Sequence, residues 1–305
     1  MIVLLGPNGQ LGWELRRALA ALDDVVALDR SPHVNGYLGD LADRVALTRT
    51  LRALRPDVVV NAAAYTAVDQ AETEPLLAHA INADAPGLIA REVLAWGGWL
   101  VHFSTDYVFD GTGVHARLED GVTGPLSTYG RSKLAGEVAI RASGCKHLIL
   151  RTSWLHAARC GNFARTMLRL AAERDSLRVV NDQIGAPTGA DWLADVTAHV
   201  LRGAKSDATL GGTYHAVASG HTSWCDYARH VVAWGHDAGL PLRATPEDVQ
   251  GIPTSEFPSA ARRPLNSRLG TQKLRRAFDL SAPPWQTGVD RMLVEALPTL
   301  LNGTR

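Results

Sequence analysis

The chain has no excess of either charge: 31 Lys and Arg stand against 31 Asp and Glu in 305 residues. A formal charge of zero gives no electrostatic reason to expect nucleic acid or an acidic membrane surface as a partner. Apolar runs long enough to span a bilayer are missing, so no membrane association is expected. Met1-Ile2-Val3-Leu4-Leu5-Gly6 lacks the basic start and small-residue cleavage site of a secretory signal. Cysteine is scarce and odd in number. Cys145, Cys160 and Cys225 are too widely spaced for a zinc motif and are expected as reduced thiols of a cytoplasmic protein. Internal repeats and low-complexity tracts are absent as well. What remains is a 46% hydrophobic chain of globular composition, long enough for one large α/β unit or two domains.

The first half alternates strand and helix. Ile2-Val3-Leu4-Leu5 reads as a buried parallel strand. Gly6-Pro7-Asn8-Gly9-Gln10-Leu11-Gly12 follows at once, and Trp13, Leu15, Leu19 and Leu22 then recur near helical spacing. Strand, glycine-rich turn and helix is the context of a dinucleotide site. Such glycines let the backbone approach a pyrophosphate, and the helix start offers N–H donors to it. The spacing is G-x-x-G-x-x-G rather than G-x-G-x-x-G. A second strand, Val25 to Leu28, ends at Asp29, where an acidic residue accepts hydrogen bonds from an adenosine ribose and favours NAD. Arg30, beside it, could pair with a 2′-phosphate and favours NADP. The two signals conflict, so a site accepting NADPH or NADH is expected.

Further elements are a helix from Ala42 to Leu54, a strand over Asp57 to Asn61, one long helix from about Pro75 to Trp96, and a strand over Trp99 to Ser104. A helix runs to about Ser143, and a strand follows over His147 to Arg151. The fold class is therefore α/β: a Rossmann-type doubly wound parallel sheet with helices on both faces, over residues 1–152. Residues 153–305 are less regular and read mainly as a smaller mixed α/β substrate-binding lobe, with about 176–202 packing back on the Rossmann domain. A substrate cleft is expected between the two.

Tyr129-Gly130-Arg131-Ser132-Lys133 opens a helix, so Tyr129 and Lys133 share one face. A phenol titrates near 10, too high for easy proton exchange at neutrality. A fixed ammonium nearby would lower that value and make the phenol a better acid and base. The pair alone occurs by chance in many chains. Here Ser104 and Thr105 end a strand in the region that should receive the same helix.

With the Gly6–Gly12 turn, Ser104-Thr105-Asp106-Tyr107-Val108-Phe109 and Tyr129-x-x-x-Lys133 in this order, the chain resembles the extended short-chain dehydrogenase/reductases. Five stretches are similar to the branch that reduces dTDP-4-dehydrorhamnose: Gly9 to Gly12, Asn61 to Asp69, Ser104 to Phe109, Asp182-Gln183-x-Gly185-x-Pro187-Thr188, and Arg263-Pro264-x-Asn266-Ser267. The likeness spans essentially the whole chain. It implies reduction of the C4 ketone of a dTDP-linked 4-keto-6-deoxy sugar by a nicotinamide cofactor, the last step in making dTDP-L-rhamnose. It implies Tyr129 as proton donor, Lys133 as the residue that lowers its pKa and bonds the nicotinamide ribose, and Thr105 as a partner of the substrate oxygen. By motif match Gly6, Gly9, Gln10, Leu11, Gly12, Asp29, Arg30, Asp40, Leu41, Ala63, Ala64 and Tyr65 would line the cofactor. Thr105, Asp106 and Trp154 would contact the sugar nucleotide, and Arg263 or Arg262 its diphosphate. The resemblance also implies a homodimer associated with Mg²⁺, with Asp191, Asp290 and Glu295 as candidate carboxylates. An epimerase or dehydratase on the same scaffold, and a non-catalytic regulatory subunit, are the competing readings. The Glu that dehydratases carry directly after Thr-Asp is Tyr107 here, and both Tyr129 and Lys133 are present.

Overall fold

The computed structural model describes residues 1–32 and 35–302. Six parallel strands form the central sheet: β1 (Ile2–Leu5), β2 (Val25–Leu28), β3 (Val58–Asn61), β4 (Trp99–Thr105), β5 (Lys146–Thr152) and a sixth strand, Gly212–His215. Their spatial order is β2-β1-β3-β4-β5-sixth. The helices are α1 (Gln10–Ala20), α2 (Arg44–Leu54), α3 (Pro75–His79), α4 (Ala85–Trp96), α5 (Thr128–Ser143), α6 (Phe163–Glu173), α7 (Ala190–Ser206), α8 (Trp224–Asp237), α9 (Gln272–Phe278) and α10 (Trp285–Asn302).

Side chains alternate between the two faces of a strand, and the core divides accordingly. Leu4, Val58, Val60, Val101, Phe103 and Leu148 pack on one face beneath α1 and α7. Val3, Leu5, Val59, Leu100 and Ile149 pack on the other beneath α2, α4 and α5. Both faces are covered, as a parallel sheet of continuous apolar strands requires. The chain leaves β1 toward β2 and returns on the far side to β3, which pairs with β1. This reversal opens a crevice at the carboxyl ends of the strands, the place where such sheets bind ligands.

The second half contributes to both parts of the molecule. The sixth strand extends the sheet beside β5, with Tyr214 opposite Leu150, and α7 packs along α1. Leu177–Val180 instead pairs with Val249–Ile252, away from the main sheet. Beneath that ladder α6, α8 and the start of α10 bury Leu168, Tyr227, Val231, Val289 and Leu293. No helix among the described residues is long and apolar enough to cross a membrane.

Two element ends differ from the sequence expectation for local reasons. Asp43 accepts a hydrogen bond from Ala46 N, so α2 starts at Arg44 and not Ala42. The single helix expected from Pro75 to Trp96 is interrupted by a π-helical turn, Ala80–Asp84. Pro86 is the cause: it lacks the N–H that would bond the carbonyl four residues back, and its ring crowds that carbonyl. The carbonyl belongs to Asn82, which this turn carries into the site.

Candidate active site

The start of α5 carries the centre of the site. Ser127 caps it, its Oγ accepting from Gly130 N at 3.1 Å. Glu72 holds the first turn from outside by accepting from Thr128 N at 2.7 Å and Thr128 Oγ1 at 2.8 Å. Gly130 lets the helix lie against the turn after β4, because a Cβ there would sit 2.3 Å from Tyr107 O. Tyr129 thereby meets the Tyr107 ring edge-on, with centroids 5.7 Å apart.

The Tyr129 phenol lies beside the Thr105 hydroxyl, which acts to lower its pKa. Thr105 Oγ1 donates to Asp106 Oδ1 at 3.0 Å and accepts from Tyr107 N at 3.2 Å. Burial pushes the Asp106 carboxyl up to about 6, against the lowering by Ser267 and Thr105. Burial and then the Asp106 charge push the Tyr129 phenol up to about 12, opposed by Thr105. This corrects the expected depression of the phenol by Lys133. The Lys133 head is directed into the sheet, where Nζ donates to Phe103 O at 2.6 Å and lies 3.2 Å from His102 Nε2. Burial lowers Lys133 to about 8, opposed by Glu137.

The glycine-rich turn lies at the crevice. Gly6 has φ +78°, and a Cβ there would come within 2.8 Å of Ala63 N. A Cβ on Gly12 would fall 1.9 Å from Gly6 O. Gly9 caps α1 without a side chain, and a Cβ there would find only Gly6 O, at 3.7 Å. Gln10 Oε1 is buried with no hydrogen-bond partner. A backbone cradle with open space before a helix N-terminus suits a pyrophosphate. Tyr65 N donates to Asn82 Oδ1 at 2.9 Å, and its phenol turns to Glu74 at 2.8 Å. Asp29 receives Asn8 Nδ2 at 2.6 Å and Ser31 N at 2.7 Å, while Arg30 is exposed. Asp40 accepts from Ala42 N at 2.9 Å. Leu41 departs from its expected lining role: its side chain is buried in the core beside α2, which leaves only its backbone for a ligand.

The remaining residues are dispersed. Trp154 has φ +47° and stacks on Trp224 with centroids 3.6 Å apart. Gly185 makes room for it, since a Cβ there would lie 2.6 Å from the Trp154 ring. Arg263 pairs with Asp69 at 2.6 Å, bonds Ser259 and touches Tyr107, so its guanidinium is already engaged; Arg262 is exposed. Asp191 and Glu295 line one small cleft with Glu14, His156 and Arg291. Burial raises the Glu14 carboxyl, with Glu295 and Asp191 adding to the rise against Arg17. Arg291 Nη1 pairs with Asp191 at 3.0 Å, whereas Asp290 turns to His230 at 2.6 Å. Among the described residues no group of three or more His, Cys, Asp or Glu is set to hold a metal ion.

Several contributors escaped the sequence reading. Asn82 Nδ2 donates to Tyr65 O and to Ser132 Oγ, both at 3.0 Å, tying the turn after β3 to α5. His102 meets Lys133 from the sheet and is itself met by Asn61. Ser267 faces Asp106 and acts to lower its pKa. Glu137 was accessible, because it repeats the four-residue spacing of Tyr129 and Lys133 on one helix face. The others come together only through strand register and loop closure.

The family model described as the RmlD substrate binding domain matches residues 1–297. A dTDP-4-dehydrorhamnose reductase of Escherichia coli K12 is 50% identical over 298 residues, covering 98% of each chain. One of Salmonella typhimurium is also 50% identical over 298 residues, with the same coverage. A crystal structure of dTDP-4-dehydrorhamnose reductase from Bacillus anthracis in complex with NADP superposes with a TM-score of 0.84 at 34% identity. It covers 96% of this chain and 98% of its own.

Proposed function

Because the chain belongs to the dTDP-4-dehydrorhamnose reductase family, we propose that its cleft binds NADPH or NADH and reduces the C4 ketone of dTDP-4-dehydro-6-deoxy-L-mannose to dTDP-β-L-rhamnose. The observation that carries this reading is the Tyr129 phenol set beside Thr105, whose hydroxyl is bonded to Asp106, at the carboxyl end of β4. This arrangement sets a protonated phenol beside the crevice where the glycine-rich turn opens. The cradle of Gly6, Gly9 and Gly12 and the unpartnered Gln10 Oε1 fit a dinucleotide. When bound, the nicotinamide cofactor supplies the hydride.

The chain's own residues do the rest. A phenol near 12 holds its proton at neutral pH, so Tyr129 has one to deliver to the C4 oxygen. Thr105 donates its hydroxyl hydrogen to Asp106, which holds its oxygen in place beside the phenol before substrate arrives. Lys133 would bond the nicotinamide ribose by turning its head from Phe103 O and His102 toward the crevice. Asp29, Asp40, Ala63, Ala64 and the backbone of Leu41 and Tyr65 border the cofactor. Trp154 and Arg263 meet the sugar nucleotide, and Arg263 must then exchange part of its bond to Asp69 for phosphate.

We place the enzyme in a reducing cytoplasm, supported by three free cysteines, and as a homodimer, supported by the family alone. Within one chain Asp191, Asp290 and Glu295 do not fit a Mg²⁺ site, since an arginine occupies the first and a histidine the second. No step is routed through a metal. Mixing the protein with NADPH and the 4-keto sugar nucleotide tests the reading. Stoichiometric loss of nicotinamide absorbance with formation of the rhamnosyl nucleotide is expected. Sugar interconversion without net cofactor consumption would instead identify an epimerase or dehydratase, and binding without turnover a regulatory subunit.

A further inference from the structure

Strands β3 and β4 set Asn61 directly beside His102. Asn61 has the parity of Val59, and His102 that of Leu100, so both side chains face α5. Lys133 descends from α5 onto them. Its Nζ lies 3.2 Å from His102 Nε2, and Nδ1 of the same ring lies 3.2 Å from Asn61 Nδ2. The three residues are 1–2% exposed, so water cannot substitute for a missing partner.

Counting protons over this cluster leaves little freedom. A neutral imidazole carries one N–H and one lone pair. The Asn61 amide is oriented by Ala63, whose backbone N–H donates to Asn61 Oδ1 at 3.2 Å. Turning the amide over would point its NH₂ at that N–H. Asn61 therefore donates to Nδ1, Nδ1 accepts, and the ring proton resides on Nε2, aimed at Lys133. Against an ammonium that is a donor facing a donor. Lys133 can take the bond only as a neutral amine, with its lone pair on Nε2–H. The ring does not escape by gaining a second proton, because burial holds its basicity well below the usual histidine range.

We propose that Asn61 and His102 are positioning residues that set the protonation state of Lys133: the Nε2–H tautomer favours the neutral amine and brings its proton exchange into the neutral range. This rests on the reading of Tyr129 and Lys133 as the acid–base machinery. The charged and titratable groups bearing on Lys133 are His102 from β4 and Glu137 on its own helix. Arg151 from β5 and Arg141 compensate Glu137. Glu137 favours the ammonium, burial opposes it, and the net position near 8 agrees with a lysine poised to exchange. A group whose pKa lies near the working pH is the best matched to carry a proton to and from a phenol.

The tautomer is measurable without turnover. In full-length protein labelled with ¹⁵N-histidine, long-range proton–nitrogen correlation identifies His102 by its disappearance in His102→Gln. The Nε2–H form with a bare Nδ1 is expected across the neutral range, and the Nδ1–H form would overturn the proposal whether or not the protein is a reductase. Asn61→Asp supplies the kinetic arm. A carboxylate accepts Nδ1–H, reverses the ring and turns the Nε2 lone pair to an ammonium. The basic limb of the kcat/KM profile should then rise by about one pH unit, tenfold in proton affinity. On a His102→Leu background the same substitution should move it less than half as far. Equal movement in both backgrounds would mean that the added charge acts directly and not through the ring.

Discussion

Arg151 grips Glu137 with two parallel hydrogen bonds, Nε to Oε1 at 2.8 Å and Nη2 to Oε2 at 2.7 Å, between side chains that are 3% and 0% exposed. Glu137 lies one turn beyond Lys133, and Arg141 adds a bond at 2.9 Å from the helix surface. Burial alone would raise the carboxyl. The bonds and charge of Arg151, with Arg141, outweigh it and hold Glu137 below the ordinary carboxylate value.

Glu137→Gln should therefore cost about 3–5 kcal/mol, the usual range when one partner of a buried pair is removed. Because the parent carboxyl is depressed, its contribution is present above the ordinary carboxylate range and fades as acid protonates it. Urea unfolding at neutral pH and at acid pH measures the difference. The variant should lose stability at neutral pH and converge with the parent in acid. A loss under about 1 kcal/mol at neutrality would contradict the account. Without Glu137 to support the ammonium, Lys133 should also titrate below its value of about 8.

Asp106→Asn should act in the opposite sense. A carboxyl held at about 6 against an ordinary value of 3.8 binds its proton more tightly folded than unfolded. Stability is thus favoured in acid and declines as pH rises from about 4 to 6. Asparagine still accepts from Thr105 and carries no charge. The variant should gain about 1–3 kcal/mol at neutral pH, by the conversion of a pKa difference into free energy, and nothing below about pH 4. Its phenol should titrate lower, since the Asp106 charge is one cause of the rise at Tyr129. Melting temperatures across that range, with the basic limb of the rate profile, check both parts; a variant less stable than the parent at neutrality is the adverse result.

Tyr129→Phe keeps the edge-on contact with Tyr107 and removes only the O–H. Turnover should fall about 10²–10⁴-fold, the contribution typical of a general acid, while cofactor dissociation constants stay close to the parent. Thr105→Val should be milder, because the phenol can still donate. Retention of more than about a tenth of the parent kcat by Tyr129→Phe would end the assignment.

NADH and NADPH should bind with dissociation constants within about tenfold of each other, or about 1.4 kcal/mol. The Asp29 carboxylate is already committed to Asn8 and Ser31, and the Arg30 side chain is exposed next to it. The ribose hydroxyls must share Asp29 with these donors, while a 2′-phosphate meets only a solvated surface arginine. Titration followed by intrinsic fluorescence decides it, and a hundredfold preference would show that one residue dominates.

The periodicity of strands and helices made the sheet legible, because its core strands are apolar on both faces and its helices are amphipathic. The glycine-rich turn and the Tyr129–Lys133 spacing were readable for the same local reason: each is a short-range pattern. The Lys133 head illustrates where such reading stops. Helical spacing placed it on the face of Tyr129, but a four-carbon stem let the head reach into β4, which local sequence does not connect to that helix. The π turn was likewise hidden, although Pro86 was its visible cause. Asn61, His102, Asn82 and Ser267 are polar residues within apolar or loop stretches, and only register or loop packing reveals what they touch.

The sixth strand has a consequence for how the protein is made. Tyr214 pairs beside Leu150, and α7 covers the outer side of α1. A nascent chain that has emerged only through Thr152 has its glycine-rich turn but leaves one edge of β5 unpaired and the apolar stripe of α1 uncovered. The sheet closes only after His215 is available, so the first half waits, aggregation-prone at that edge, for a segment that belongs by sequence to the other lobe.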